Sequence, residues 1–202
     1  MQEEIALSMG KLLKVSYPVT VMKFKYQILE MEEEIKHLSH AKKIPIRKRL
    51  IPLFQATPVI LPIEKRIDQL KLVILELGKE KIDGVITPLT EADIWECRCH
   101  YTAMRLHLKK SQHDTLTADA NQSFEQALEI CCNAVLLAKQ IECFMKKKEK
   151  EGDNWVRLLT YEQTSKLDPR ILAELYNIYN QEFVLTDEQI KKYHALMMGM
   201  NN

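Results

Sequence analysis

The chain has 202 residues, 46% hydrophobic and 28% charged, with 29 Lys and Arg against 28 Asp and Glu for a net charge of +1. That balance excludes wholesale disorder, and it gives no global field that would draw nucleic acid or a membrane surface. With 5 Gly and 7 Pro, about half the usual share, the chain lacks the turn formers of a sandwich or barrel and the glycines of a phosphate-cradling loop.

The first residues, MQEEIALSMG, hold no apolar h-region, so no secretory signal is expected. Ile5, Met9, Leu12 and Leu13 form a short helical stripe that Pro18 ends or bends. Val21, Phe24, Ile28, Met31, Ile35 and Leu38 then alternate steps of three and four, which predicts a helix over about 19–39. Its outer face carries Glu30, Glu32, Glu33 and Glu34.

The texture changes over residues 41–63, which contain Pro45, Pro52, Pro58 and Pro62 and no acid. Each proline removes a donor and disfavours helix in the residue before it, so an irregular segment is expected. Its apolar side chains are too many for a free linker. Leu50 to Ile63 is uncharged, but it is too short and too broken by proline to span a bilayer.

Helix resumes over about 63–77 on Ile63, Ile67, Leu70, Ile74 and Leu77. Leu72, Val73 and Leu75 make it apolar on most sides and predict a central position. Gly78 suits a C-cap and Asp83-Gly84 a turn. Thr90-Glu91-Ala92-Asp93 is a capping box opening a helix of about 91–111, with Ile94, Cys97, Tyr101, Met104 and Leu108 inward. A long helix of about 118–149 follows, with Phe124, Leu128, Cys131, Val135, Ala138 and Met145 along one side and the run Lys146 to Glu151 at its end. After an apolar piece, Trp155 to Thr160, Asp168-Pro169 reads as a helix start. That helix has an aromatic face of Leu172, Leu175, Tyr176, Tyr179 and Phe183. Thr186 to Gln189 is a second capping box, opening a last helix with Ile190, Tyr193, Met197 and Met200. The expected fold is therefore all-α: an irregular bundle of about six to eight helices, with a proline-rich irregular segment at 41–63. Residues 1–150 are read as the helical bundle and 151–202 as C-terminal helices packed on or beside the same domain.

Five cysteines, an odd number without framework spacing, read as reduced thiols in a cytoplasmic protein. Cys97-Arg98-Cys99-His100 looks like a zinc fragment, but residues two apart on a helix point about 200° apart. Cys97, His100 and His107 share a face and are the best remaining constellation, while free Cys at apolar helix positions is more often core. A di-iron bundle needs two Glu-x-x-His motifs, and only Glu34 to His37 supplies one. No nucleophile elbow is present. No catalytic residue, metal or cofactor is therefore expected, and no motif matches a family specifically enough to carry residues over.

Protein binding is the function that survives these exclusions. The candidate contact residues are Leu50, Ile51, Leu53, Phe54, Val59, Ile60 and Leu61, with Met197 and Met200 of the methionine-rich C-terminal helix. Lys42, Lys43, Arg47, Lys48 and Arg49 form a basic rim that would steer an acidic partner. The same cluster could neutralise phosphates, but no aromatic residues interleave with it, so nucleic acid is not the expected partner. The expected partners are other protein subunits, with no membrane insertion and no oligomeric state implied. The function read from the sequence is a non-enzymatic intracellular adaptor or accessory subunit. The Lys-, Ile- and Gln-rich texture suggests a bacterial source and a chaperone-like adaptor of a secretion machine as its concrete form. The competing reading is a small helical enzyme or secreted effector acting on a host protein.

Overall fold

The computed structural model describes residues 14–43, 56–110, 118–149 and 154–199. Its helices are α1 (Lys25–Lys43), α2 (Ala56–Leu77), α3 (Glu91–Lys110), α4 (Ala118–Phe144), α5 (Tyr161–Ser165), α6 (Pro169–Phe183) and α7 (Asp187–Gly199). Its strands are β1 (Tyr17–Met22), β2 (Lys81–Ile86), β3 (Met145–Lys148) and β4 (Trp155–Arg157), joined in one sheet in the order β1-β2-β3-β4. The protein is thus predominantly helical but not all-α. The chain divides into two compact units, Thr20–Ile82 and Met1–Val19 with Asp83–Asn202.

In the Thr20–Ile82 unit, α1 and α2 pack against each other. Lys23 pairs with Glu80 at 2.9 Å, and Arg66 pairs with Glu34 at 2.9 Å. The two pairings run in opposite sequence order, so the helices form an antiparallel hairpin. Val21, Ile28, Ile67, Leu70 and Ile82 are its buried apolar side chains among the described residues. The expected helix over 19–39 begins later, because Val19 and Val21 alternate with exposed Thr20 and Met22 as strand residues. The irregular segment expected at 41–63 is also shorter. Residues 41–43 close α1, and α2 is already helical from Ala56. Pro58 falls in the first turn of α2, where its missing donor would have no intrahelical partner anyway. Pro62 removes one rung, and the helix continues through it. Nor is α2 enclosed on most sides: Leu72, Val73 and Leu75 are exposed.

The other unit is organised around the end of α4. Every residue from Ile141 to Met145 is buried, so the helix is enclosed all round at this point. α3 lies along α4, α5 and α6 also pack on it, and Tyr179 of α6 stacks on Phe144 with ring centroids 4.8 Å apart. The helix stops at Phe144, five residues before the expected end. Lys146, Lys147 and Lys148, expected at a helix terminus, are strand residues in β3. Antiparallel β4 pairs Lys146 with Arg157, Lys147 with Val156 and Lys148 with Trp155. The carbonyls freed at the buried helix end find donors on neighbouring segments: Thr87 N–H donates to Phe144 at 3.0 Å and Leu158 N–H to Met145 at 2.9 Å. The last helical carbonyl, Phe144, and the first strand carbonyl, Met145, are thus both paired inside the protein. Of the adjacent cysteines on α4, Cys132 is buried and Cys131 exposed, and on α3 Ile94 faces out.

Gly84 makes the sheet possible at its tightest point. A Cβ there would lie 2.5 Å from Leu158 Cδ2 and 3.0 Å from the Lys146 carbonyl oxygen. The leucine can swing aside, but the backbone oxygen cannot without disturbing the β2–β3 register, which pairs Val85 with Lys146 and Ile86 with Met145. Gly84→Val should therefore destabilise the protein by about 1–3 kcal/mol through overpacking, read as a lowered midpoint in thermal melting. An unchanged midpoint would show that the strands are not held this closely.

Candidate functional site

Thr90 and Asp93 begin the site by capping α3. Thr90 N–H and Oγ1–H donate to Asp93 Oδ2 at 3.0 and 2.7 Å, and Asp93 N–H returns to Thr90 Oγ1 at 3.2 Å. This is the capping box expected from the sequence, and it leaves Asp93 Oδ1 free to face Arg157, 3.6 Å from Nη2. Lys146 of β3 lies 3.7 Å from Oδ2. One turn on, Glu96 accepts from Arg157 through both oxygens and from Lys139 Nζ at 2.7 Å. Glu142 accepts from Lys139 at 2.6 Å and from Arg157 Nη1 at 3.2 Å. Three carboxylates from α3 and α4 thus meet three cations from α4, β3 and β4. The side chains of Lys139 and Glu142 are each only 10% exposed.

The electrostatics follow from this matching. Hydrogen bonds from Arg157 and then Lys139 hold the Glu96 carboxyl at about 2, below its ordinary 4.5. Burial works to raise Asp93, but its bonds to Thr90 and the charges of Lys146 and Arg157 outweigh this and hold it below its usual range. Burial likewise works to lower Lys139, and its bonds to Glu142 and Glu96 reverse the direction. The bond to Glu96 raises Arg157 further above neutrality.

Beside this network, Cys97 of α3 and Cys143 of α4 are both buried, with their sulfurs 3.9 Å apart. His100 rests edge-on against the Tyr161 ring at 4.5 Å, and its Nε2 is buried without a hydrogen-bond partner among the described residues. His107 is exposed. The constellation Cys97, His100 and His107 is therefore not gathered into one donor set. Among the described residues, the group close enough to ligate one ion is Asp93, Glu96 and Cys143, within 4.8 Å of one another. Both carboxylates are already neutralised by basic side chains, which an ion would have to displace.

The sequence-predicted contact residues fall elsewhere. Leu50, Ile51, Leu53, Phe54, Arg47, Lys48, Arg49 and Met200 lie outside the described residues. Lys42 and Lys43 close α1, Val59, Ile60 and Leu61 belong to α2, and Met197 belongs to α7; only their backbone is described. The network itself was not anticipated. Of its members only Asp93 carried a sequence signal, as a cap; the bases Lys139 and Arg157 look like ordinary surface residues in the sequence.

Two outcomes test this geometry. Lys139→Met leaves buried Glu142 with Arg157 as its remaining cation, and should cost about 3 kcal/mol, the lower end for breaking a buried pair, in denaturant unfolding. The second concerns acid. A carboxyl whose folded value is depressed contributes stability that is full above its unfolded value and lost as pH falls through the folded one. The contribution of Glu96 is thus complete above 4.5 and fades towards about 2. Glu96→Gln should flatten the fall of melting temperature across that window. An equally steep fall in the variant would assign acid sensitivity to other groups.

The chain matches no family model, no curated protein and no solved structure.

Proposed function

We propose that the protein is a non-enzymatic adaptor or accessory subunit that binds other proteins, with a chaperone-like adaptor of a bacterial secretion machine as its concrete form. The observation that carries this reading is the outward side of α2, where Leu72 and Leu75 are 64% and 63% exposed. Large aliphatic side chains gain about 1.5–3 kcal/mol each on burial. Leu72 and Leu75, three residues apart, share one side of the helix, and an exposed aliphatic pair there favours a covering partner. The 50–61 strip, with its basic rim from Lys42 to Arg49, remains a second contact candidate on the same sequence grounds.

The enzyme reading would have to rest on the Asp93–Glu96–Cys97 neighbourhood, where titratable groups cluster. A general acid or base works best with its proton affinity near the operating pH. Asp93 and Glu96 are driven the other way, towards permanent ionisation, by cations that match them one for one. Such matching supports a structural role for the cluster.

The test is affinity capture from the source cells with three baits: the unaltered protein, Leu72→Asp/Leu75→Asp, and Phe54→Asp/Leu61→Asp. The first double variant should melt at an unchanged temperature and lose the captured proteins. Loss only with the second would move the interface to the 50–61 strip. Identical captures with all three, or no captured protein at all, would refute the adaptor reading as drawn from these surfaces.

A further inference from the structure

We infer that Cys97 and Cys143 are an oxidisable dithiol, a site of reversible disulfide formation that ties α3 to the last turn of α4. The two sulfurs are 46 residues apart in sequence and are brought to 3.9 Å by the packing of two different elements. The other cysteines do not share this setting: Cys99 and Cys131 are exposed, and Cys132 is buried on another part of α4. Forming the bond requires the sulfurs to close from 3.9 Å to about 2.05 Å.

The surroundings favour the chemistry. A thiolate is the reactive species, and nearby cations stabilise it. Once Cys97 is ionised, the Cys143 thiol donates a hydrogen bond to it. That bond, with the charge of Lys139, outweighs burial and holds Cys97 below the ordinary thiol range. The same bond and burial push Cys143 up, so it keeps the proton. The pair is therefore unequal: Cys97 is the sulfur suited to the first attack, and Cys143 keeps its proton until oxidation removes the charge on Cys97. Facing them are Asp93 and Glu96 from α3, Lys139 from α4 and Arg157 from β4.

The oxidant class is set by access. Cys97 is 3% exposed and Cys143 is not exposed at all, which suits a small peroxide over a protein or glutathione disulfide. The Cys97 thiolate attacks one oxygen of hydrogen peroxide. The O–O bond breaks, the departing hydroxide takes a proton to leave as water, and Cys97 becomes a sulfenic acid. The Cys143 sulfur then attacks the Cys97 sulfur and the sulfenic oxygen leaves as a second water, carrying the Cys143 proton. In sum two thiols lose two hydrogens and two electrons, and one peroxide is reduced to two waters.

Tryptic mapping of the intact folded protein after peroxide treatment tests this directly. Cleavage after Lys81 and Arg98 isolates Cys97 from Cys99, and cleavage after Lys139 and Lys146 leaves Cys143 as the one cysteine of its peptide. Free thiols are alkylated on denaturation, before digestion. The expected product is peptide 82–98 joined to 140–146, with a loss of about 2 Da relative to the two thiols and reversal by dithiothreitol. Cys97→Ser and Cys143→Ser should each abolish it, and mapping of the unaltered chain decides the matter even if a variant does not fold. Oxygen addition of about 16 or 32 Da on Cys97 without the joined peptide would overturn the inference. Linkages through Cys132, or reaction confined to Cys99 and Cys131, would overturn it equally.

Discussion

The burial of charge at the end of α4 is the constraint around which the larger unit is built. Ile141 to Met145 are enclosed on every side, and Lys139 and Glu142 go in with them. A buried helix terminus exposes carbonyls that need donors, and buried ions need counter-ions at hydrogen-bond distance. Both needs are met by the same few segments. The continuation of β2 supplies Thr87 N–H, the continuation of β4 supplies Leu158 N–H, and Arg157 within β4 reaches two glutamates and an aspartate. The small strands are thus the means by which a helix can end inside the protein. Replacing such networks with apolar residues of similar volume is often neutral or stabilising, so their clearest effect here is to fix which strand and which register meet the helix end.

The Thr20–Ile82 unit buries no charged side chain among the described residues. Its paired charges, Lys23 with Glu80 and Arg66 with Glu34, are on the surface, where ion pairs contribute little. Its buried apolar set is small, and α2 keeps aliphatic side chains outside. The larger unit brings charge inward and matches it, while both units leave large apolar side chains outward, Leu72 and Leu75 in one and Trp95 and Ile130 in the other.

The helices with chemical punctuation were legible from sequence. The Thr90–Asp93 box, the Asp168-Pro169 start and the Thr186–Gln189 box all appear as written, and the aromatic face of α6 does place Tyr176, Tyr179 and Phe183 in a continuous stack. The strands were not, for different reasons. Val21 fits a period of two with Val19 and a period of 3.6 with Phe24 and Ile28, and the longer pattern masked the shorter. Met145-Lys-Lys-Lys has no β-propensity of its own, and its conformation is imposed by pairing with Trp155–Arg157. The charged network is invisible in one dimension because its members, at 93, 96, 139, 142, 146 and 157, are adjacent only after folding. Thr160 and Gln163, spaced as in a capping box in the sequence, form one at the start of α5.

The chain has two tryptophans, and both border the charged network. Trp95 precedes Glu96 and is 68% exposed, while Trp155 lies two residues before Arg157 and is 37% exposed. No indole lies between residues 20 and 82. Tryptophan fluorescence, excited beyond the tyrosine band, is therefore a reporter of the α3–β4 region and is silent on the α1–α2 pair, whose one tyrosine between residues 20 and 82 is Tyr26, whereas far-ultraviolet dichroism sums the helices of both. Probes that coincide for a single cooperative domain are expected to separate if the units melt independently. The placement of two side chains thus makes an ordinary spectrometer selective for one half of the fold.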